Sequence, residues 1–323
     1  MVSLFPIHRP KLGISFRAHA LDLVEVRRRW RRAPIITRLA TRPLPAGLLT
    51  PNATTPTISD STTLAKELVA LLDGVRDRAV AIDLPMACGT LALHHFEQLP
   101  PVRTEQEALL RWRLRQEEHL TAPDLTLLWQ VFDSTGSGNP AVSVLSVAIK
   151  PSILAQYHQV CEAAGLIPVS MGWSTFHLLE LARLMLSNSS EEAYVAHRTA
   201  EALIVLGFRQ GCPVCLRVKP WRHTAGDLHR EFRQTLRYFA QQGPSSMWTT
   251  ARTTPLYVVD ETTSAQATDS PDSPAETWPD TWMVQDQWTV SVSRAEWATV
   301  PIATTVSHPS QPPFGALAGL LAA

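Results

Sequence analysis

Apolar and polar positions alternate near the start of the chain. Leu12, Ile14 and Phe16 are separated by Gly13, Ser15 and Arg17, the period-two pattern of a strand with one face on a core. After a break at 18–20, residues 21–26 are rich in branched side chains and predict a returning strand, so a hairpin opens the chain. Residues 34–40 predict a third strand, which puts the run 27–32, Arg-Arg-Arg-Trp-Arg-Arg, at a hairpin tip. The period then becomes helical. Leu64, Leu68, Leu71 and Leu72 share a face over 59–72, with Asp60 or Ser61 as cap and Gly74 as stop. Residues 79–84 predict a buried strand ended by Pro85, and 91–96 another.

The middle of the chain predicts a helix over 103–120, capped by Thr104 with Glu107 three residues on. Strands over 125–132 and 141–149 flank a turn at 134–140, and a helix over 152–164 stops at Gly165 and Pro168. A long helix is expected over 173–186. A second hairpin follows, 202–207 and 214–218, turning at Gly211. Leu228, Phe232, Leu236 and Phe239 fall on one face of an amphipathic helix. Strands are expected over 256–259 and 288–292. The stretch 262–280 is rich in Pro, Ser, Thr and acid and predicts a solvated loop or disordered insert.

Composition narrows the picture. The 323 residues suit about two domains, and 45% apolar content supports packed cores. Formal net charge is zero but uneven: ten Lys or Arg stand in the first fifty residues against Asp22 and Glu25, while eight Asp or Glu stand from Asp260 onward against Arg294. No segment reaches the ~18 apolar residues of a membrane span. Residues 1–11 lack the apolar core of a signal peptide, so the chain is expected in the cytoplasm. Four cysteines in this length do not suggest a disulfide framework.

Candidate chemistry is sparse. Cys212 and Cys215 have CxxC spacing, but in a strand their thiols would face opposite sides, and Cys88 and Cys161 stand alone, so no zinc set forms. The adjacent His94 and His95 would likewise face opposite sides of a strand. There is no Gly-x-Ser-x-Gly elbow for a hydrolase. Of ten tryptophans, Trp112 lies on the 103–120 helix. The arginine run suggests either a solvated turn or contact with anionic lipid through Arg27, Arg28, Arg29, Trp30, Arg31 and Arg32. No recognition module for RNA or DNA surrounds it.

The opening hairpin resembles the first phosphate loop of the actin-like ATPases, and most closely the PilM family, platform proteins of type IV pilus assembly within the FtsA/PilM superfamily. That family's strand runs roughly Gly-Ile-Asp-Ile-Gly-Ser-Ser-Ser-Val-Lys-Val-Val-Glu-Leu. Gly13, Ile14, Val24 and Glu25 match it, and Val26 is similar. The chemistry departs: the acidic residue falls on Ser15, the loop glycine on Arg17, the first serine on Ala18 and the lysine on Asp22. The resemblance is densest over 144–150, 163–168 and 174–176, and extends to 107–113, 121–132 and the last ten residues. The resemblance includes the shorter relative used in mannose-sensitive pilus systems.

The resemblance implies an α/β, bilobal actin-like (ribonuclease H-like) fold. Residues 1–85 would begin the first lobe, and 86–169 would form an inserted α+β subdomain. Residues 170–220 would return to the first lobe and give the second hairpin. Residues 221–323 would form a reduced second lobe, since too little chain precedes the 228–239 helix for the family's extra helical subdomain. At the second phosphate strand the family's acidic residue and glycine are absent: Tyr194 to Thr199 contains Ala196 and Arg198 instead. After the 256–259 strand the adenine loop is replaced by Asp260, Glu261 and Thr262. Three independent losses argue against hydrolysis, and no cofactor, metal or catalytic residue is expected, although Arg17 and Arg198 are cations that an anion could meet. The implied role is a non-enzymatic cytoplasmic scaffold, peripheral at the inner membrane, in a pilus, secretion or competence platform. It would bind the cytoplasmic N-terminal peptide of a PilN-like single-span partner, with Trp112, Leu109 and Arg113 as candidate contacts, and it would bind no nucleic acid. The alternatives are an active ATPase or sugar-kinase-like enzyme of the same fold, and the cytoplasmic half of a type II secretion platform protein.

Overall fold

The computed structural model describes residues 10–29, 32–117, 124–133, 142–176, 192–199, 201–220, 227–242, 253–260, 281–285, 288–294 and 303–304. The chain divides into two units. The first comprises Met1–Thr90, Ile149–Leu181 and Trp297–Ala323; the second comprises Leu91–Ala148 and Ala182–Glu296.

The first unit is built on β1 (Leu12–Arg17), β2 (Ala20–Arg29), β3 (Arg32–Pro43) and β4 (Ala79–Asp83), with helix α1 (Ser61–Leu71) between β3 and β4. Later segments add α3 (Pro151–Ala163), β8 (Ile167–Gly172) and β15 (Ala303–Thr304) to a sheet ordered β15-β3-β2-β1-β4-β8. The pairs β1–β2 and β2–β3 are antiparallel, and β1–β4 and β4–β8 are parallel. Leu12, Ile14 and Phe16 are buried as their alternation requires, and Phe16 meets Tyr157 of α3 edge-on with ring centroids 5.2 Å apart. Asp60 caps α1, accepting from the backbone N–H of Thr62 and Thr63. Leu64 and Leu68 bury its apolar face. A short 3-10 turn at Met86–Cys88 follows β4.

The second unit contains two sheets. The smaller, ordered β5-β7-β6, joins β5 (Thr90–Phe96), β6 (Thr126–Asp133) and β7 (Val142–Ile149), with α2 (Arg103–Glu117) packed on it. Leu110 and Leu114 of α2 close a core with Ala92, Phe96, Leu127, Val144 and Ala148. The larger sheet is ordered β11-β10-β9-β12-β14-β13. Its strands are β9 (Glu192–Arg198), β10 (Ala202–Arg209), β11 (Cys212–Pro220), β12 (Thr253–Asp260), β13 (Thr281–Gln285) and β14 (Trp288–Arg294). Helix α4 (Asp227–Gln242) inserts Phe232, Leu236 and Phe239 against Tyr194, Ala196, Leu203, Val205, Leu256 and Val258.

Several expectations shift. Within the stretch 86–169, α3 packs with α1 and β8 joins the first unit's sheet beside β4. Helix α2 starts at Arg103, so Thr104 sits in its first turn; Glu105 N and Gln106 N donate to Val102 O. The arginines placed at a hairpin tip belong partly to strands, since β2 runs to Arg29 and β3 begins at Arg32. The helix expected over 173–186 lies within the described residues only to Phe176, while the 262–280 stretch and the last ten residues lie outside them. No helix among the described residues is long and apolar enough to cross a membrane.

Candidate phosphate-hairpin site

Strand register assembles the first hairpin's polar residues. Thr41 pairs with Asp22, Asp22 with Ser15, Ser15 with Asp83, and Asp83 with Gly172. Laterally paired residues share a face, so one polar row crosses five strands of the first sheet. Ser15, Asp22 and Asp83 are all buried. The Ser15 hydroxyl donates to Asp83 Oδ2 at 2.7 Å. Thr41 Oγ1 donates to Asp22 Oδ1 at 2.7 Å.

Arg17 lies two residues beyond Ser15, on the same face. Its guanidinium turns back along the hairpin: Nη2 donates to Asp22 Oδ1 at 2.6 Å, and Nε lies 2.5 Å from Oδ2. Side-chain exposure is 14% for Arg17 and 1% for Asp22. The charge expected to face an incoming anion is therefore already neutralised by a carboxylate of its own hairpin. A phosphate would have to displace Asp22, leaving that carboxylate buried against a rival anion. The loop itself, Ala18 and His19, carries no glycine to permit close backbone approach.

The second unit's hairpin has the same construction. Thr199 N donates to Ala202 O at 2.9 Å, closing β9 on β10 as Arg17 and Ala20 close β1 on β2. Counting back from that pair, Thr199 occupies Arg17's place and His197 occupies Ser15's. The row through His197 contains Val218, Ile204 and Val259. Ala196 and Arg198, expected at this hairpin, fall out of phase with it: Ala196 belongs to the core under α4, and Arg198 is buried at the strand end beside Asp260 in register. Thr199 Oγ1 accepts from Glu201 N at 3.2 Å and Ala202 N at 3.0 Å, so the turn's donors are satisfied by its own chain.

Two residues of this geometry were missed in the sequence. Asp83 ends a buried Ala-Val-Ala-Ile-Asp strand, where a carboxylate among apolar neighbours was the available signal. His197 carried no signal, because its position depends on the turn that closes the hairpin. Among the described residues no group of three or more His, Cys, Asp or Glu is arranged to hold a metal.

The other candidate residues lie elsewhere. The structure brings Trp112 and Arg113 of α2 together, with Arg113 Cζ 5.5 Å from the Trp112 ring and 5.6 Å from the Phe96 ring. Trp112 is 50% exposed. Leu109 packs partly against the small core. Arg27 is exposed; the side chains of Arg28, Arg29, Trp30, Arg31 and Arg32 lie outside the described residues. Cys212 and Cys215 are free thiols. Gly207 pairs with Cys215 just before a register shift at Phe208, and burial pushes the Cys215 thiol up.

With this geometry the chain can be set beside known proteins. No protein-family model matches the sequence, and no curated protein does. Among solved structures, the PilM-PilN type IV pilus biogenesis complex aligns over 98% of this chain and 97% of its own, with a TM-score of 0.71 and 20% identity. The chain has a PilM-like, actin-type fold. At that identity the likeness extends to the fold alone. The cytoplasmic domain of EpsL, an inner membrane component of the type II secretion system of Vibrio cholerae, covers 96% of the chain and 92% of its own, at TM-score 0.46 and 12% identity. A Bacteroides thetaiotaomicron protein of actin-like ATPase fold and unknown function covers 80% and 85%, at 0.44 and 11%.

Proposed function

We propose that this chain is a scaffold and not an ATPase. It acts at the cytoplasmic side of the inner membrane, in a type IV pilus or related secretion or competence platform. There it holds the cytoplasmic N-terminal peptide of a PilN-like single-span protein. The observation that carries the reading is the ion pair of Arg17 with Asp22, braced by Thr41, which fills the hairpin that a nucleotide's phosphates would need. The PilM-like fold over nearly the whole chain supports the kind of assembly, since the aligned structure is a PilM-PilN complex.

The docking surface in this reading is the small sheet with α2. Strand β6, at the end of that sheet's order, presents exposed Leu128 and Val131 to an extended segment. Trp112, half exposed and stacked by Arg113, supplies the rigid aromatic anchor common at interface hot spots.

The test is fluorescence anisotropy with a synthetic N-terminal peptide of the PilN-like protein encoded beside this chain, run with calorimetric titration of Mg-ATP. The expected outcome is saturable peptide binding, weakened about tenfold or more by Trp112→Ala at unchanged thermal stability, and no heat from ATP. Micromolar ATP binding would overturn the scaffold reading, and full peptide binding by the Trp112→Ala variant would move the docking surface.

A further inference from the structure

We infer that the outer face of α2 is a seam for a second copy of this chain, packed antiparallel across a two-fold axis. Leu110 and Leu114 turn one face of the helix into the small core. On the opposite face stand Glu105, Ala108, Trp112 and Arg115, all exposed. They follow one another at intervals of three, four and three residues, the a/d spacing of a seam between two helices. Trp112, 50% exposed, is the large apolar side chain of this face.

The face is complementary to itself in one orientation. When two copies of a helix pack antiparallel about a two-fold axis, positions whose numbers have a constant sum meet. With the axis at the level of Leu110, Trp112 meets Ala108 of the second copy, Arg115 meets Glu105 of that copy, and symmetry repeats both layers. Each indole then lies over a methyl group and each guanidinium over a carboxylate, the two charge layers standing about 15 Å apart. In a parallel pair Trp112 would meet Trp112 and Arg115 would meet Arg115, so charge selects the antiparallel arrangement. Leu109, half-buried, flanks the seam beside its own copy. Arg111, on the other flank, is paired with Glu107 at 2.8 Å. Glu105 and Arg115 also stand in the first and last turns of α2, where they suit the helix dipole. That role acts within one chain and depends on no second copy. A seam of four layers is short, and interfaces of small area form transient complexes, so a reversible dimer is expected.

The inference goes beyond the peptide reading and shares Trp112 and Leu109 with it, so the test is placed on Glu105 and Arg115. Association of the full chain is followed by sedimentation velocity over a wide range of protein concentration, with thermal melts to confirm folding. Wild type is expected to pass reversibly from monomer to dimer. Glu105→Arg sets arginine against arginine in both charge layers, and Arg115→Glu sets glutamate against glutamate. Each change alone should weaken association about tenfold or more. The double variant E105R/R115E restores opposite charges and should recover it. An equimolar mixture of the two singly changed chains should also associate, because each charge layer of the mixed dimer then holds one arginine and one glutamate. A helix-dipole role alone gives no such recovery in the mixture. Wild type monomeric at every concentration, singly changed chains that dimerise like wild type, or a mixture that associates no better than its components would overturn the inference. Peptide binding kept by the Glu105→Arg chain leaves the peptide reading standing whatever the result for the dimer.

Discussion

The two large sheets share a strand plan and differ in what crosses their centres. In both, a central strand pairs antiparallel with its hairpin partner and parallel with a later strand, β1 with β2 and β4, β9 with β10 and β12. In the first sheet the row behind the hairpin is Thr41, Asp22, Ser15 and Asp83; in the second the equivalent row is Val218, Ile204, His197 and Val259. The backbone plan therefore does not require the polar row. The first unit retains buried carboxylates where the second uses branched side chains, and both turns close on their own groups. A repeated strand plan can carry different side-chain chemistry in each of its copies.

The largest effect is expected from breaking the ion pair on one side. Asp22→Ala strands Arg17 and Thr41 and should destabilise the first unit by about 3–5 kcal/mol. Combining Arg17→Met with Asp22→Leu makes the row resemble that of the second sheet and should recover most of the loss, as apolar replacements of buried pairs do. Denaturant unfolding with hydrogen exchange resolved to β1 and β9 checks this. Exchange at β9 should be unaffected.

A smaller effect sharpens the contrast from the second sheet. A Cβ on Gly207 would stand 2.3 Å from Cys215 Sγ and 3.1 Å from the Tyr194 ring. Gly207→Ala should cost about 1–3 kcal/mol, as overpacking does. Adding Cys215→Ala should restore part of it, measured by thermal melts.

The smallest concerns the α1 cap. Asp60 is held below the ordinary carboxylate range, first by the Thr63 hydroxyl and then by the backbone N–H of Thr63. Its folded-state value is depressed, so its stabilisation is complete above the unfolded value and is lost as pH falls through the folded one. Asp60→Asn should remove that acid-range slope in a melting-temperature series and change little near neutrality.

Much of the fold was legible because period-two and period-3.6 patterns are local. The opening hairpin, α1, the β10–β11 hairpin and the buried face of α4 all carried such patterns. Four strands did not, and of these Glu192–Arg198 was reached only through the family resemblance. The segment Ile167–Gly172 contains Pro168 and exposes Ile167 at 62%, since β8 is an edge whose place comes from β4. The five residues of β13 and the two of β15 are too short for a period to register. Helix α3 has an ordinary amphipathic pattern that fits either neighbour, and its contact with α1 is not readable from that pattern. At the candidate site the missing glycine and acid were readable one residue at a time. The Arg17–Asp22 pair was not, because it joins residues whose proximity depends on register.

The first sheet is finished late. Strand β3 receives its outer neighbour only when Ala303 and Thr304 pair with Ile35 and Ile36. At ribosomal rates the intervening chain takes on the order of 15–50 s to emerge. Throughout that interval the opening strands wait at the tunnel exit with one flank uncovered, and β4 waits likewise for β8. The nascent chain therefore passes through a period in which its earliest-made half is the half most exposed to wrong partners, and a carboxy-terminal truncation would extend that vulnerability to the whole lifetime of the protein.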